Sequence, residues 1–270
     1  MSVSGALRPL TRAQGALIRH LLHEKKTRQS EGAFVIEGAH ACRDIIQSYP
    51  DQILSLIVAP QYLQSEDTAS RAARAVLTAN QFTCSDRDFE KLSDVDMPQG
   101  IVAVVRQPGW SEADLCAQAR VLGVYGERLQ DPANVGTIIR TAAALNLTGV
   151  WLSQDSVDCF HPKVVRATAG AILALPVFQS AALSSFSKTG CSVYAAVVPS
   201  PDAVPIRAIK TVPARMVIAV GNESQGLADE SIAAAQVRFT IPLSRGVESL
   251  NVAATLAMTA FYFSELPATA

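Results

Sequence analysis

Residues 121–145 have the sequence VLGVYGERLQDPANVGTIIRTAAAL, in which a polar turn joins an apolar run to an apolar helix. Val121 to Val124 is short and apolar, as is typical of a strand that is covered on both faces of a sheet. Polar residues follow it, and Val135 to Leu145 then has a helical pattern. This order of strand, turn and helix predicts one unit of a parallel α/β sheet.

The chain beyond this stretch repeats the same arrangement. Further short apolar runs predict strands at Gly149 to Leu152, Val193 to Val198, Met216 to Val220 and Val237 to Ile241. Val252 to Phe263 predicts a final helix. Because the strands are almost entirely apolar and alternate with helices, we expect a parallel α/β domain over residues 119–270.

A smaller α/β domain is predicted ahead of it, at residues 1–106. Its apolar runs predict strands at Ala33 to Ile36, Ile53 to Val58 and Ile101 to Val105, and helical stretches separate them. Arg106 to Glu112 contains Pro108 and Gly109 and interrupts the pattern, so we place a linker at residues 107–118. A chain of 270 residues is long enough for two such domains.

The composition is that of a folded soluble protein, with 49% hydrophobic and 17% charged residues. No apolar run approaches the roughly 20 residues that span a bilayer, and residues 1–14 lack the apolar core of a signal peptide. The five cysteines are widely separated, and the four histidines have no partner at metal-binding spacing. We therefore expect a cytoplasmic protein without a membrane segment and without a metal ion.

Basic residues are concentrated near the N-terminus although the net charge of the chain is −1. Between residues 8 and 28 the single acidic residue is Glu24, and the basic residues are Arg8, Arg12, Arg19, Lys25, Lys26 and Arg28. Such a cluster is either a solvated helix face or a surface that binds RNA phosphates. The candidate RNA-binding residues are Arg19, Lys25, Lys26 and Arg28.

Three polar clusters follow predicted strands, at residues 127–140, 221–226 and 241–251. Ligands of open α/β sheets bind beyond the carboxyl ends of the strands, so these clusters are candidate site segments. Their candidate residues are Asn134, Arg140, Gly221, Glu223, Ile241, Ser249, Leu250 and Asn251.

Several of these residues also have a purely structural interpretation. Asn134 and Ser249 are suitable helix N-caps, and Glu223 is suitable for the first turn of a helix. Ile241 and Leu250 are ordinary core residues. The structural interpretation of Arg140 is a surface cation. It is less easily dismissed than the others, since burying a guanidinium in an apolar helix without an anionic partner costs free energy. The chain has no dinucleotide-binding, phosphate-loop or nucleophile-elbow motif.

The clusters resemble the three motifs of the SpoU, or TrmH-type, branch of the SPOUT RNA 2′-O-ribose methyltransferases. DPANVGTIIRTA at residues 131–142 is similar to motif 1, and GNESQG at 221–226 is similar to motif 2. IPL at 241–243 with SLNVA at 249–253 resembles motif 3, and residues 161–171 resemble the segment between motifs 1 and 2. FVIEG at 34–38 and PQGIVA at 98–103 resemble the substrate-binding domain of many members.

The resemblance implies a fold, a cofactor and a set of residue roles. The fold is a parallel-sheet domain with a deep trefoil knot, preceded by a small α/β RNA-binding domain. The cofactor is S-adenosylmethionine, with Gly221, Ile241 and Leu250 as contacts, and the protein is a homodimer. Arg140 activates or orients the ribose hydroxyl. The supporting catalytic residues are Asn134, Glu223, Ser249 and Asn251.

Ribosomal RNA is the expected substrate, because relatives that act on transfer RNA often lack the leading domain. A transfer RNA 2′-O-methyltransferase is one alternative. A noncatalytic RNA-binding protein on the same scaffold is a second, and an α/β nucleotide-binding enzyme of other chemistry is a third.

Overall fold

The computed structural model describes residues 7–77 and 79–269, which form two compact units. The first unit contains the described residues up to Pro108 together with Phe160–Leu173. The second unit contains Gly109–Cys159 and the described residues from Ala174 onward. The inclusion of Phe160–Leu173 in the first unit was not indicated by any pattern in the sequence.

Strands and helices alternate along most of the chain. The strands are β1 Arg8–Pro9, β2 Ala33–Glu37, β3 Ile53–Val58, β4 Asn80–Thr83, β5 Ile101–Arg106, β6 Val121–Gly126, β7 Val150–Leu152, β8 Val177–Phe178, β9 Ser192–Ala196, β10 Val204–Pro205, β11 Val212–Pro213, β12 Arg215–Val220, β13 Val237–Thr240 and β14 Ala268–Thr269. The helices are α1 Arg12–His23, α2 Lys25–Glu31, α3 Ala39–Ser48, α4 Pro60–Ser65, α5 Thr68–Ala75, α6 Asp86–Glu90, α7 Glu112–Cys116, α8 Pro132–Ala144, α9 Pro162–Thr168, α10 Ser184–Thr189, α11 Asp229–Ala234 and α12 Val252–Ser264.

The first unit is built on a five-stranded mixed sheet of order β1-β4-β3-β5-β2. Strand β5 is antiparallel to both β2 and β3, while β3 is parallel to β4. Helix α1 buries Ile18, Leu21 and Leu22 in the core beside this sheet. The predicted small α/β domain is therefore present. Helix α9 packs on β2. Just before α9, the ring of Phe160 contacts the ring of Phe34 on β2, with 4.9 Å between the ring centroids.

The sequence pattern also predicts a helix at Ser65 to Leu77. The structure has the shorter helix α5 within this range, and a break at Glu66 and Asp67 separates it from α4, which ends at Ser65. Asp67 caps α5, since its Oδ1 accepts a hydrogen bond of 2.7 Å from the Ser70 backbone N–H. The buried Glu66 carboxylate accepts bonds of 2.8 and 3.0 Å from Arg74. An N-cap and a buried ion pair at this point explain why the helix starts again.

The second unit contains a seven-stranded sheet of order β10-β13-β9-β12-β6-β7-β8 in which every neighbouring pair is parallel. This confirms the predicted parallel α/β class. The buried Trp151 lies on one face, stacked on Phe178 at 5.3 Å and edge-on to Phe186 at 5.4 Å. Helix α12 packs against α8, and its Phe263 meets Phe239 edge-on at 5.2 Å. The trefoil knot stays a prediction.

Three general features of the described residues bear on the expectations from composition. No helix among them is both long and apolar enough to cross a membrane. No disulfide joins the five cysteines, all of which the structure describes, and burial raises the pKa of the Cys84 thiol to about 11. Within the described ranges, no group of three His, Cys, Asp or Glu side chains is placed to hold a metal ion.

Candidate active site

The central strands β6 and β12 bring two of the polar clusters together. They are parallel neighbours with Gly126 opposite Val220, and the Glu127 backbone N–H donates to Val220 O at 2.9 Å. Their carboxyl ends therefore meet at one edge of the sheet. The turn at 127–131 and the loop at 221–226 leave the sheet side by side, as the rule for ligand sites in α/β sheets predicts.

Helix α8 starts at Pro132 and is capped by Asp131, whose Oδ1 accepts a hydrogen bond of 2.8 Å from the Ala133 backbone N–H. The interpretation of Asn134 as the N-cap is therefore wrong. Asp131 takes this position because Pro132 follows it, and proline is favoured at the first position of a helix. Asn134 lies in the first turn with its side chain free for other contacts.

Asn134 joins the other two clusters through its amide group. Its Nδ2 donates to Glu223 Oε1 at 2.9 Å, and its Oδ1 accepts from Asn251 Nδ2 at 2.9 Å. Asn134 is 7% exposed, so an unsatisfied amide here would cost the free energy of desolvation. The hydrogen-bond chain Glu223–Asn134–Asn251 therefore ties all three motifs to one another, and each amide orientation is fixed by its partners.

Asn251 has a second contact, which corrects the interpretation of Ser249 as an N-cap. Its Oδ1 accepts from the backbone N–H groups of Ala253 and Ala254 at 2.9 and 3.2 Å, so Asn251 is the N-cap of α12. Ser249 lies two residues earlier and is not the cap.

The first-turn interpretation of Glu223 is also wrong, because Glu223 lies in a loop and α11 does not begin until Asp229.

The loop 221–226 is a tight turn that its own backbone closes. Asn222 and Gly226 exchange N–H···O bonds of 3.0 and 2.9 Å, and Asn222 Oδ1 accepts from the Ser224 and Gln225 N–H groups. A Cβ on Gly221 would lie 2.1 Å from the Gly226 carbonyl carbon, so only glycine fits. Asn222 was not among the candidate residues. The signal for it is an asparagine directly after a strand, which is typical of such turns.

Loop 221–226 and the segments 241–243 and 248–252 line one cavity of about 450 Å³. It contains all three candidate cofactor residues, Gly221, Ile241 and Leu250, and three candidate catalytic residues, Glu223, Ser249 and Asn251. Ile241 is half-buried and Leu250 is 36% exposed, so neither is an ordinary core residue. The volume suits a small-molecule cofactor. Apolar walls with main-chain polar groups at the loop suit a flat adenine ring, so the residues present fit S-adenosylmethionine.

Arg140 lies on α8 outside this cavity, and its side chain is exposed. The structure therefore has Arg140 as a surface cation, and the cost of burying a guanidinium in this helix does not arise. Within residues 7–77 and 79–269, its guanidinium makes no hydrogen bond or ion pair. The family resemblance also implies that Asn134 orients Arg140 or the ribose and that Glu223 fixes Arg140. In the structure the Asn134 and Glu223 side chains bond to each other, and their contact with Arg140 stays a prediction.

Tyr125 lies on β6, two residues before Glu127. Burial raises the pKa of Tyr125 to about 12, and the nearby charge of Glu127 contributes. The phenol therefore stays protonated at neutral pH, which makes it unsuitable as a proton acceptor for an attacking hydroxyl.

The basic residues of the first unit are not equivalent. Arg19 and Lys26 are exposed and Lys25 is half-buried, so these three can meet a ligand. Arg28 is 2% exposed, and its Nη1 donates to the Leu21 and Leu22 carbonyls at 2.6 and 3.2 Å. These carbonyls belong to the last turn of α1, where main-chain acceptors lack helical partners. The Arg28 guanidinium thus contacts the end of α1 and is not exposed to a ligand in this structure, and RNA binding by Arg28 stays a prediction.

Comparison with known proteins identifies both units. Residues 122–261 match the model described as the SpoU rRNA Methylase family, and residues 18–103 match the MRM3-like substrate binding domain. An uncharacterised tRNA/rRNA methyltransferase of Synechocystis is 31% identical over 251 residues, which cover 90% of this chain and 89% of the relative. The 23S rRNA (guanosine(2553)-2′-O)-methyltransferase RlmP of Bacillus subtilis is 28% identical, covering 89% of this chain and 92% of that one.

A solved structure agrees with the sequence matches. The AdoMet-bound rRNA methyltransferase from Sinorhizobium meliloti is 27% identical with a TM-score of 0.78, and the match covers 95% of both chains. The fold and the site thus define an S-adenosylmethionine-dependent RNA methyltransferase with a leading substrate-binding domain. The chain belongs to the SpoU rRNA methylase family, as its three motifs predicted.

Proposed function

We propose that the protein transfers a methyl group from S-adenosylmethionine to a ribose 2′-hydroxyl of ribosomal RNA. The observation that carries the proposal is the hydrogen-bond chain Glu223–Asn134–Asn251, which joins the cofactor cavity to the helix that bears Arg140. The relative from Bacillus subtilis is named as a 2′-O-methyltransferase of 23S rRNA and matches 89% of this chain, which supports both the ribose and the ribosomal substrate.

When bound, S-adenosylmethionine supplies a methyl group on a positively charged sulfur, which is already a good leaving group. Transfer would form a carbon–oxygen bond to the ribose as the carbon–sulfur bond breaks, and the hydroxyl proton would pass to solvent. Arg140 cannot accept that proton, because a guanidinium carries only N–H donors and no acceptor atom. Its exposed guanidinium binds a phosphate beside the target ribose and stabilises the negative charge that develops on the oxygen.

The other site residues hold the donor and the pocket in place. Gly221, Ile241 and Leu250, which line the cavity, would hold the adenosine part of the donor, mainly through main-chain groups. Asn134 and Asn251 connect α8 and α12 to the loop through Glu223, so the wall of the cavity is fixed before the donor binds. Ser249 contributes a hydroxyl to the same cavity.

The test of this reaction uses purified protein, S-adenosylmethionine with a tritiated methyl group, and ribosomal RNA that lacks the modification. Label should enter the RNA, and complete digestion should release it as a 2′-O-methylnucleoside. Label on a base would exclude the ribose as acceptor. Label in transfer RNA with none in ribosomal RNA would replace the proposed substrate with the alternative one.

RNA binding by the first unit is proposed to involve the exposed face of α1 and the start of α2. Arg19, Lys25 and Lys26 are accessible there, and the acidic residue nearby is Glu24, whose carboxylate accepts from Thr27 Oγ1 at 2.6 Å. The match of residues 18–103 to a substrate-binding domain supports this surface. Three cations within two helices can replace the counterions of neighbouring phosphates.

Replacing Arg19, Lys25 and Lys26 together by alanine should weaken RNA binding and make it less sensitive to salt. The slope of log K against log salt should fall by about 2, since each contact to single-stranded RNA contributes about 0.7. Filter binding over a range of salt concentrations measures this slope. A matched control replaces Arg106, Arg120 and Arg207, which are also exposed. If both triple variants lost the same RNA affinity, the effect would come from net charge alone, and Arg19, Lys25 and Lys26 would not form a specific RNA-binding surface.

The surface of α12 supports a homodimer. Met258 is 51% exposed and Phe261 is 59% exposed, and at a spacing of three they share one face of the helix. Two adjacent large apolar side chains on a helix favour contact with another protein surface. We propose that a second copy of the chain covers them, which brings the unpaired Arg140 of the neighbouring α8 close to the partner's site.

Replacing Met258 and Phe261 by aspartate should shift the protein to the 28.7 kDa monomer in light scattering. Methyl transfer should fall about tenfold at low protein concentration and recover partly at high concentration, because assembly follows mass action. A variant with aspartate at the exposed Val76 and Met97 is the control. A parent protein that is already monomeric and fully active would contradict the proposed dimer.

A further inference from the structure

Arg128 follows β6 and has a left-handed backbone conformation with φ of +54°. This conformation suits glycine, and other residues keep it only where their surroundings hold them in it. Its main chain is held on both sides. The Arg128 N–H donates to Ser153 Oγ at 2.8 Å, and its carbonyl accepts from Asn222 Nδ2 at 2.8 Å. The second of these bonds connects Arg128 to loop 221–226.

The side chain of Arg128 makes two further contacts with the same loop. Nη1 donates to Gln225 Oε1 at 3.3 Å and Nη2 donates to the Gly226 carbonyl at 3.4 Å. The Arg128 main chain thus holds the start of the loop and its side chain holds the end. Both acceptors are neutral, and within the described ranges Arg128 has no ion pair. The guanidinium therefore acts as a donor to the loop rather than as the partner of a carboxylate.

Arg128 contacts the loop without lining the cofactor cavity. Asn222, Gln225 and Gly226 line the cavity and are also the loop residues that Arg128 contacts. The adjacent Glu127 adds another attachment, because its Oε2 accepts from the Ala228 N–H at 3.2 Å just after the loop. The residues that follow β6 therefore hold loop 221–226 from the side opposite the cavity, and the loop's other side lines the cavity.

We propose that Arg128 is a positioning residue that fixes loop 221–226 in the shape required for donor binding, without touching the donor. The inference rests on the proposed function of the cavity and extends it to a residue outside the pocket. A glycine at this position would adopt the same backbone conformation at lower cost. The arginine therefore keeps an unfavourable conformation in which its side chain reaches Gln225 and Gly226.

The variant Arg128→Gly separates loop positioning from general stability. Glycine suits the backbone, so the protein should fold and melt close to the parent, while the loop loses both side-chain contacts. The Kd for S-adenosylmethionine should rise about tenfold, as expected when two hydrogen bonds of ordinary net strength are lost. The kcat at saturating donor should change much less than this Kd. Amide hydrogen exchange at residues 222–226 should accelerate.

Two further variants complete the experiment. Arg128→Lys keeps a donor that can reach one of the two acceptors, so its Kd should lie between those of the parent and Arg128→Gly. Asn146→Gly relieves a similar conformation, φ of +53°, at an exposed position beyond the other end of α8, and should leave the Kd unchanged.

Two outcomes would overturn the role of Arg128. One is a Kd of Arg128→Gly that stays within about twofold of the parent. The other is a rise in Kd with no change in exchange at 222–226 and a lowered melting temperature, which would make the effect one of global stability. If the parent binds the donor but methylates no RNA, the proposed reaction fails while these comparisons still decide the role of Arg128.

Discussion

Replacing Arg140 by alanine should lower the kcat of methyl transfer by about 10²- to 10³-fold, the effect of removing one preorganised donor to a developing oxyanion. The Kd for S-adenosylmethionine should change little, because Arg140 is not part of the cavity lining. The structure shows no stabilising contact to lose, since the side chain is exposed. The melting temperature should therefore stay the same.

Single-turnover kinetics with saturating donor and RNA measure this effect, and calorimetry gives the Kd. Arg140→Lys should be intermediate, because a lysine keeps the charge but not the planar, two-pronged donor that suits phosphate. Arg207→Ala removes another exposed arginine of the second unit and should behave as the parent. A kcat of Arg140→Ala within a few-fold of the parent would contradict the proposal that Arg140 stabilises the reacting oxygen.

Replacing Gly221 by alanine should weaken the binding of S-adenosylmethionine by up to about 100-fold. The new Cβ would lie 2.1 Å from the Gly226 carbonyl carbon and 2.2 Å from the Leu227 nitrogen, and both of these are backbone atoms that cannot rotate away. Loop 221–226 must therefore open. Overpacking of this kind costs about 1–3 kcal/mol, and about 3 kcal/mol corresponds to a Kd for S-adenosylmethionine that is roughly 100-fold higher.

Calorimetry and thermal melting together measure the effect of Gly221→Ala. The melting temperature should also fall, since β12 is a central strand and Gly221 directly follows it. Gly109→Ala is the matched control, because a Cβ there would meet no atom within 4 Å. Unchanged donor affinity in Gly221→Ala would show that the shape of this loop does not matter for the cavity.

Local patterns were sufficient to predict most strands of the fold. Ile53–Val58 was predicted with the bounds that the structure has, and the strands at 121–126 and 215–220 were predicted to within a residue or two. These runs are apolar and bounded by polar or glycine-rich turns, so the signal lies in the segment itself. Helix starts were less predictable. Asp131 and Asn134 are both good caps three residues apart, and the position of Pro132 decides between them.

The site was predictable as a set of segments but not as a set of contacts. The residues Asn134 and Glu223 are 89 positions apart and Asn134 and Asn251 are 117 apart, so no local pattern could show that their side chains bond. The burial of Arg28 has a different origin, because Leu21 is only seven positions away along the chain. It depends on the break between α1 and α2, which brings the guanidinium onto the Leu21 carbonyl and which the charge pattern alone does not indicate.

The most direct test of the account is a crystal structure of the protein with S-adenosylmethionine. The adenine ring should lie in the cavity, in contact with Ile241 and Leu250 and beside the backbone of Gly221, with the bonds from Asn134 to Glu223 and Asn251 intact. Donor density at another surface, or a bound state in which these three segments have moved apart, would contradict the account.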